Sequence, residues 1–287
     1  MSTTVIFGPG SEKGFLLIGA ILALGTDLKH VKHYIGVSVG AILATFLSLG
    51  LTFPEIILES LSFSLFDNWT ELLKDFDLSQ WWLKKNKSKV FGLIDPSKIK
   101  ERIEIWMNKK FMRSLTFLDL FLMTGKKLTI TVTDRSDPKN PRAIYCDYIN
   151  TPHLSVSQTV LESCLLPGIM ENNTPHRLDG AFSDPLPIEQ VDANCEKTII
   201  FLMDDVHTES SNSLVNNISS IYYSLMVPTQ ILLNNKLSSL PREGNVKIIN
   251  LTRKSDSLSI PIVIPVKSEE KMSLISEGFY QTLKQLT

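Results

Sequence analysis

Tyr34-Ile35-Gly36-Val37-Ser38-Val39-Gly40-Ala41 is the stretch on which the reading of this chain turns. Tyr34 and Ile35 end a short apolar strand, and residues 41–49 continue as an apolar helix. Between them lies the pattern Gly-x-Ser-x-Gly. A strand that passes straight into a helix through so tight a turn leaves a serine oxygen exposed on strained backbone. Side chains two residues before and two after that serine would collide, so glycine suits Gly36 and Gly40. The helix that follows points its N–H groups and its positive dipole end toward the serine, which favours negative charge there. Ser38 is therefore the candidate nucleophile.

The flanking sequence predicts an α/β fold. Thr3–Phe7 is a β-branched strand, Gly8-Pro9-Gly10-Ser11 a loop, and Gly14–Leu24 an apolar helix. With the strand and helix around Ser38 this makes a βαβα order, which implies a mainly parallel central sheet flanked by helices. In the middle of the chain Asp95 reads as an N-cap with Pro96 at the first helical position. Ile99, Ile103 and Trp106 then share one helical face. Thr116 followed by Asp119 marks another helix start. A strand is expected at 128–133, with an antiparallel neighbour at 143–146 across the polar turn 134–142. A helix at 158–165 should stop at Pro167-Gly168, and a buried strand should occupy 198–203. A long helix over 213–237 is expected to be interrupted near Pro228. Strands at 246–251 and 262–266 and an amphipathic helix at 268–286 close the chain. No repeat or linker is evident. The expectation is one domain over 1–287 with a helical insertion at about 54–125.

Composition removes several classes of function. Among 287 residues, 29 Lys plus Arg balance 30 Asp plus Glu, for a net charge of −1. No basic stripe interleaves with aromatics, so nucleic acid is not an expected partner. Cys146, Cys164 and Cys195 are scattered and odd in number, as in a reduced intracellular protein. His30 and His33 are three apart, but no nearby Cys or Glu completes a metal set, and no cofactor or metal is expected. The N-terminus lacks a charged start and a signal cleavage site. The apolar stretches 15–24 and 39–53 fall short of the ~20 residues that span a bilayer and read as core helices. A cytoplasmic protein is expected.

A serine nucleophile needs a base. A Ser–Asp–His order with His176 or His207 stays open at this stage. The fold that uses it, however, places several strands before its nucleophile, and position 38 leaves room for about two. The alternative base is Asp179, in His176-Arg177-Leu178-Asp179-Gly180-Ala181, where Asp-Gly sets a carboxylate on a permissive turn.

Taken together, these segments resemble the patatin-like phospholipases, whose members use a Ser–Asp dyad without histidine. The resemblance covers most of the chain. Gly36–Gly40 matches the nucleophile elbow, and Asp179 with Gly180 and Ala181 matches the Asp-Gly-Gly/Ala motif. Gly8 to Gly14 corresponds to the glycine-rich oxyanion loop and keeps its basic residue and final glycine in Lys13-Gly14. Phe91-Gly92-Leu93-Ile94-Asp95 and Thr116-Phe117-Leu118-Asp119-Leu120 look like mid-chain segments of the family. Ser163-Cys164-Leu165-Leu166-Pro167 matches its Ala-Ser-x-x-x-Pro segment in part.

The resemblance implies a three-layer α/β/α fold and a lipid acyl hydrolase of the phospholipase A or lysophospholipase type. In that reaction Ser38 attacks the ester and Asp179 is its base. Gly10, Ser11 and Glu12 are the candidate oxyanion donors. The loop departs from three consecutive glycines, with Pro9, Gly10 and Ser11 in those places. Proline has no N–H to give, and Gly8 would compensate if the loop were shifted by one residue. The alternatives are a weakly catalytic lipid-binding or regulatory protein and a non-phospholipid esterase or thioesterase. The expected partner is a phospholipid or another acyl-ester lipid. Trp81-Trp82-Leu83-Lys84-Lys85, with Lys87 and Lys89, suits transient contact with an anionic membrane surface.

Overall fold

The computed structural model describes residues 2–10, 13–62, 95–167, 170, 172–204, 213–240, 245–253 and 267–286. Strand β1 (Thr3–Phe7) is buried along its whole length, and helix α1 (Gly14–Leu24) follows it. Strand β2 (Val31–Val37) runs straight into helix α2 (Val39–Ser48). It begins earlier than its two most apolar residues suggest, because only Lys32 in it reaches solvent. Helices α3 (Phe53–Ser62), α4 (Ser97–Phe111) and α5 (Phe117–Thr124) fill the described part of the expected insertion.

After them come β3 (Lys127–Asp134), β4 (Arg142–Cys146), α6 (Val156–Ser163) and β5 (Arg177–Asp179). The chain continues with β6 (Lys197–Asp204), α7 (Ser213–Ser239), β7 (Val246–Thr252) and α8 (Ser268–Leu286).

The seven strands form one sheet in the order β4-β3-β2-β1-β6-β7, with β5 also on β3. All pairings from β3 through β7 are parallel, while β4 and β5 are antiparallel to β3. Side-chain alternation divides the core in two. Val5, Phe7, Tyr34, Ile130 and Phe201 pack with Leu17, Ile21, Ala44, Ile103 and Ile275 on one face. Ile6, Ile35, Ile200 and Leu202 pack with Leu186 and with Leu233 of α7 on the other. Helices thus cover both faces, the expected α/β/α layering.

Several local expectations hold in detail. Thr116 and Asp119 form a reciprocal capping box, and Ile99, Ile103 and Trp106 are the buried face of α4 with Met107. Others need correction. Pro96 itself takes the N-cap position of α4, and Asp95 sits one residue earlier, accepting the Ser97 N–H at 2.8 Å. Helix α7 is continuous through Pro228. Val227 and Pro228 are exposed, so the proline ring stands toward water rather than in the core. Helix α6 starts and ends two residues earlier than expected, capped by Ser155 and released at Cys164. The expected strand at 262–266, and Trp81 to Lys89, lie outside the described residues. Among the described residues no helix is long and apolar enough to cross a membrane.

Candidate active site

Two strand edges and one register place the site. Strand β3 pairs with β4 along residues 130–134, which uses up one of its edges. Its other edge is shared. Strand β2 occupies it as far as Val37 opposite Thr131, and β5 takes it over with Asp179 opposite Val132. Ser38 is the residue that leaves the sheet where β2 ends. Asp179 is the residue with which β5 arrives. Successive residues of β3 therefore bring together two side chains that are 141 positions apart in sequence.

At that junction the Ser38 Oγ–H donates to Asp179 Oδ2 at 2.5 Å. Ser38 has φ 56° and ψ −128°, a left-handed conformation that L-residues rarely adopt and that tight functional turns retain. The two glycines of the elbow are explained by contact. A Cβ on Gly36 would run into Ala41 and the Gly40 carbonyl, and one on Gly40 into the Phe7 and Gly8 carbonyls. Only hydrogen at those positions lets β2 turn and lets α2 rest against the end of β1.

Asp179 is 1% exposed, and its polar atoms are all engaged. Its N–H donates to the Leu165 carbonyl at 3.0 Å, and its carbonyl accepts the Thr133 hydroxyl at 2.7 Å. Oδ1 accepts the Ala181 N–H at 2.9 Å. Burial pushes its carboxyl up to about 7, against the opposing pull of the Ser38 and Ala181 hydrogen bonds. An acid that is weak as a base in water is thereby set near neutrality, the range in which a general base works. Gly180 is required because a Cβ there would strike the Thr131 carbonyl, and Ala181 is buried in the short 3-10 turn that follows.

The loop before α1 is only partly as expected. The Gly8 N–H donates to the Phe201 carbonyl at 3.0 Å, extending the β1–β6 ladder by one residue. Gly8 is thus occupied and does not compensate for Pro9. Gly10 lies against the end of the Met203 side chain, which a Cβ there would have to displace, and its carbonyl accepts the Lys13 N–H at 3.0 Å. Lys13 is buried, and Gly14 leaves room for Val39 of the elbow helix. Ser11 and Glu12 lie outside the described residues.

Among the described residues, no histidine is a hydrogen-bond partner of the Ser38 hydroxyl or the Asp179 carboxylate. His176 is exposed, in the turn immediately before β5. His33 is buried at the opposite end of β2, with Nε2 2.8 Å from Thr129 Oγ1, and burial holds it down to about 3. His207 lies outside the described residues.

The sequence profile described as Patatin-like phospholipase matches residues 5–192, about two thirds of the chain, and spans both elbow and Asp-Gly turn. The chain belongs to the patatin-like phospholipase family. Within curated proteins this family member is 26% identical over 190 residues to the probable lipid hydrolase 463L of Invertebrate iridescent virus 6. It is 28% identical over 165 residues to the uncharacterized protein R571 of Acanthamoeba polyphaga mimivirus. Those alignments cover 65% and 56% of this chain, and 62% and 50% of the two relatives. Among solved structures, this patatin-like chain superposes on VipD from Legionella pneumophila with a TM-score of 0.53 at 17% identity, covering 99% of this chain and 66% of that one. It superposes on the type III effector ExoU with a TM-score of 0.57 at 15% identity, covering 99% of this chain and 52% of that one. These structures share its fold.

Sequence reasoning missed several supports of the patatin-like site. The Ser163 hydroxyl accepts the Ser38 N–H at 3.0 Å. Thr133 and Ser183 hydroxyls meet at 2.8 Å under the Asp179 carbonyl. Buried Asp184, five residues past Asp179, accepts from Tyr145 Oη at 2.7 Å and from the Leu186 N–H at 3.0 Å, and pairs with Lys236 of α7 at 2.8 Å. Thr133, a polar residue on a buried strand, was the available signal, because its hydroxyl needs a polar partner and finds one in the Asp179 carbonyl.

Proposed function

We propose that this chain is a lipid acyl hydrolase, of the phospholipase A or lysophospholipase type, working through Ser38 and Asp179. The observation that carries the reading is the 2.5 Å bond from Ser38 Oγ to a buried carboxyl raised to about 7. Deprotonated Asp179 takes the Ser38 proton as Oγ attacks the ester carbonyl. The tetrahedral intermediate collapses, and Asp179 passes that proton to the departing alcohol or lysolipid. Water then gives a proton to Asp179 and attacks the acyl-serine. Collapse returns the proton to Ser38 Oγ and releases the fatty acid. The N-terminus of α2 and the Gly10 N–H are the described candidates for stabilising the oxyanion, with Ser11 and Glu12 the remaining ones. The substrate is a phospholipid or similar acyl ester at a membrane surface.

A serine-reactive fluorophosphonate tests the nucleophile. Wild type should be labelled and Ser38→Ala should not. Equal labelling of the two would sink the enzyme. Release of fatty acid from phospholipid, acylglycerol and acyl-thioester panels then fixes the substrate class, and turnover of thioesters alone would overturn the lipid assignment.

A second reading, a slow or purely lipid-binding family member, draws on one observation. Gly8 spends its N–H on Phe201, and Pro9 has none. The loss of one oxyanion donor typically costs ~10²–10³ in rate. On that reading phospholipid vesicles bind while labelling stays at the Ser38→Ala level.

A further inference from the structure

We infer that Ser163 is a positioning residue for the nucleophile, acting on Ser38 through its backbone. The inference rests on the reading of Ser38 as nucleophile. Ser163 is the last residue of α6 and is completely buried. Its Oγ accepts the Ser38 N–H at 3.0 Å and donates to the Thr131 carbonyl at 2.7 Å. The direction of both bonds is forced. An amide N–H can only donate and a carbonyl can only accept, so the hydroxyl must accept from one and donate to the other.

The location gives this relay its purpose. Thr131 is opposite Val37, the last residue of β2 still in the sheet. One residue later the backbone turns into the left-handed conformation of Ser38 and leaves the sheet edge. The Ser163 hydroxyl fills the gap between that edge and the departing amide. It bridges Ser38 N–H to β3, the same strand that pairs with Asp179 at the next residue. Fixing the nitrogen of Ser38 fixes the direction of its Cα–Cβ bond, and hence where Oγ stands relative to Asp179 Oδ2. The relay also commits the Ser38 amide, so it cannot serve the oxyanion. The exit of the chain from α6 reinforces the arrangement, since Leu165, two residues on, receives the Asp179 N–H. One helix end therefore grips both members of the dyad.

A group that only orients the nucleophile should alter kcat and leave KM nearly alone. Ser157 supplies a matched control. It lies on the same helix, is equally buried, and spends its hydroxyl on Glu104, away from the dyad. The experiment compares full-length wild type, Ser38→Ala, Ser163→Ala, Ser163→Cys and Ser157→Ala. It reads fluorophosphonate labelling rate, kcat and KM on a soluble acyl ester, and thermal melting. Ser163→Ala should slow labelling and kcat by about 10–100-fold, the loss expected of a nucleophile displaced by up to ~1 Å. Its KM should stay within a few-fold of wild type. Ser157→Ala should melt earlier yet label at the wild-type rate. Labelling of Ser163→Ala at the wild-type rate overturns the inference, as does equal slowing in Ser157→Ala. If Ser163→Ala does not fold, Ser163→Cys carries the test, because a thiol is a weaker donor and acceptor. Folded Ser163→Cys with wild-type labelling refutes the role. Wild type that labels no better than Ser38→Ala would instead remove the nucleophile reading beneath it.

Discussion

Replacing Asp179 with asparagine should abolish activity and stabilise the protein, with a gain that depends on pH. The carboxyl is 1% exposed and is raised from 3.8 to about 7, chiefly by burial. In the unfolded chain it returns to its ordinary value. Between those two pH values the native state holds a proton that the unfolded state releases, so wild-type stability falls as pH rises through this window. Above about 7 the penalty is complete. A shift of roughly three units at about 1.36 kcal/mol each costs about 4 kcal/mol. Asparagine carries no charge to desolvate. Its Oδ1 can still accept the Ala181 N–H, and its amide nitrogen can donate to Ser38 Oγ in place of the present bond. At ~2 °C per kcal/mol for a chain of this size, Asp179→Asn should melt about 8 °C above wild type at pH 8. The advantage should shrink by about 1.36 kcal/mol per pH unit below 7. Thermal melts of both proteins from pH 5.5 to 8.5, with fluorophosphonate labelling in parallel, measure this. A melting difference that stays constant across that range would refute the argument that Asp179 bears a desolvation penalty.

The same carboxyl predicts a rate profile. Labelling and kcat/KM should reach half their plateau near pH 7 and fall about tenfold per unit below it, because only the deprotonated form accepts the Ser38 proton; a flat profile from pH 5.5 to 8 would contradict it. His176→Ala and His207→Ala should leave turnover within a few-fold of wild type, whereas a large loss in a folded variant would restore a histidine triad. Lys236→Met should cost about 3 kcal/mol by leaving the buried Asp184 charge without its cation, and Asp184→Asn in the same background should recover part of it; urea melts measure both. EDTA should leave hydrolysis unchanged, and strict sensitivity to it would argue for a metal-dependent step.

The N-terminal half of the fold was legible because its signals are local. Gly36 and Gly40 bracket Ser38 at a spacing that only an elbow needs, and the β-branched run Thr3–Phe7 can be read without its neighbours. The capping pair Thr116 and Asp119 is equally short-range. What escaped the sequence depends on partners far along the chain. The Gly8 N–H looked available until Phe201 came beside it in β6. Helix α6 ends early because Leu165 is drawn toward Asp179 rather than into another turn. Pro228 suggested a break, but the helix runs on through it with the ring exposed, and that exposure is not written in the local sequence. Asp179 was found through its Asp-Gly turn, whereas Asp184, equally buried and only five residues away, had no comparable motif to mark it.

The shared edge of β3 has a further consequence. The distance between the reactive groups is set by neighbouring rungs of one strand, Thr131 and Val132, and not by the chain that connects Ser38 to Asp179. Length can therefore change in the helical stretch before β3, or in the turn after it, while the reaction geometry stays the same, because closing a longer loop costs little. Such an arrangement tolerates changes of surface around a fixed Ser38–Asp179 pair. It also suggests a practical use, because a chain severed between α3 and α4 could regain chemistry wherever the two fragments zip together along that strand.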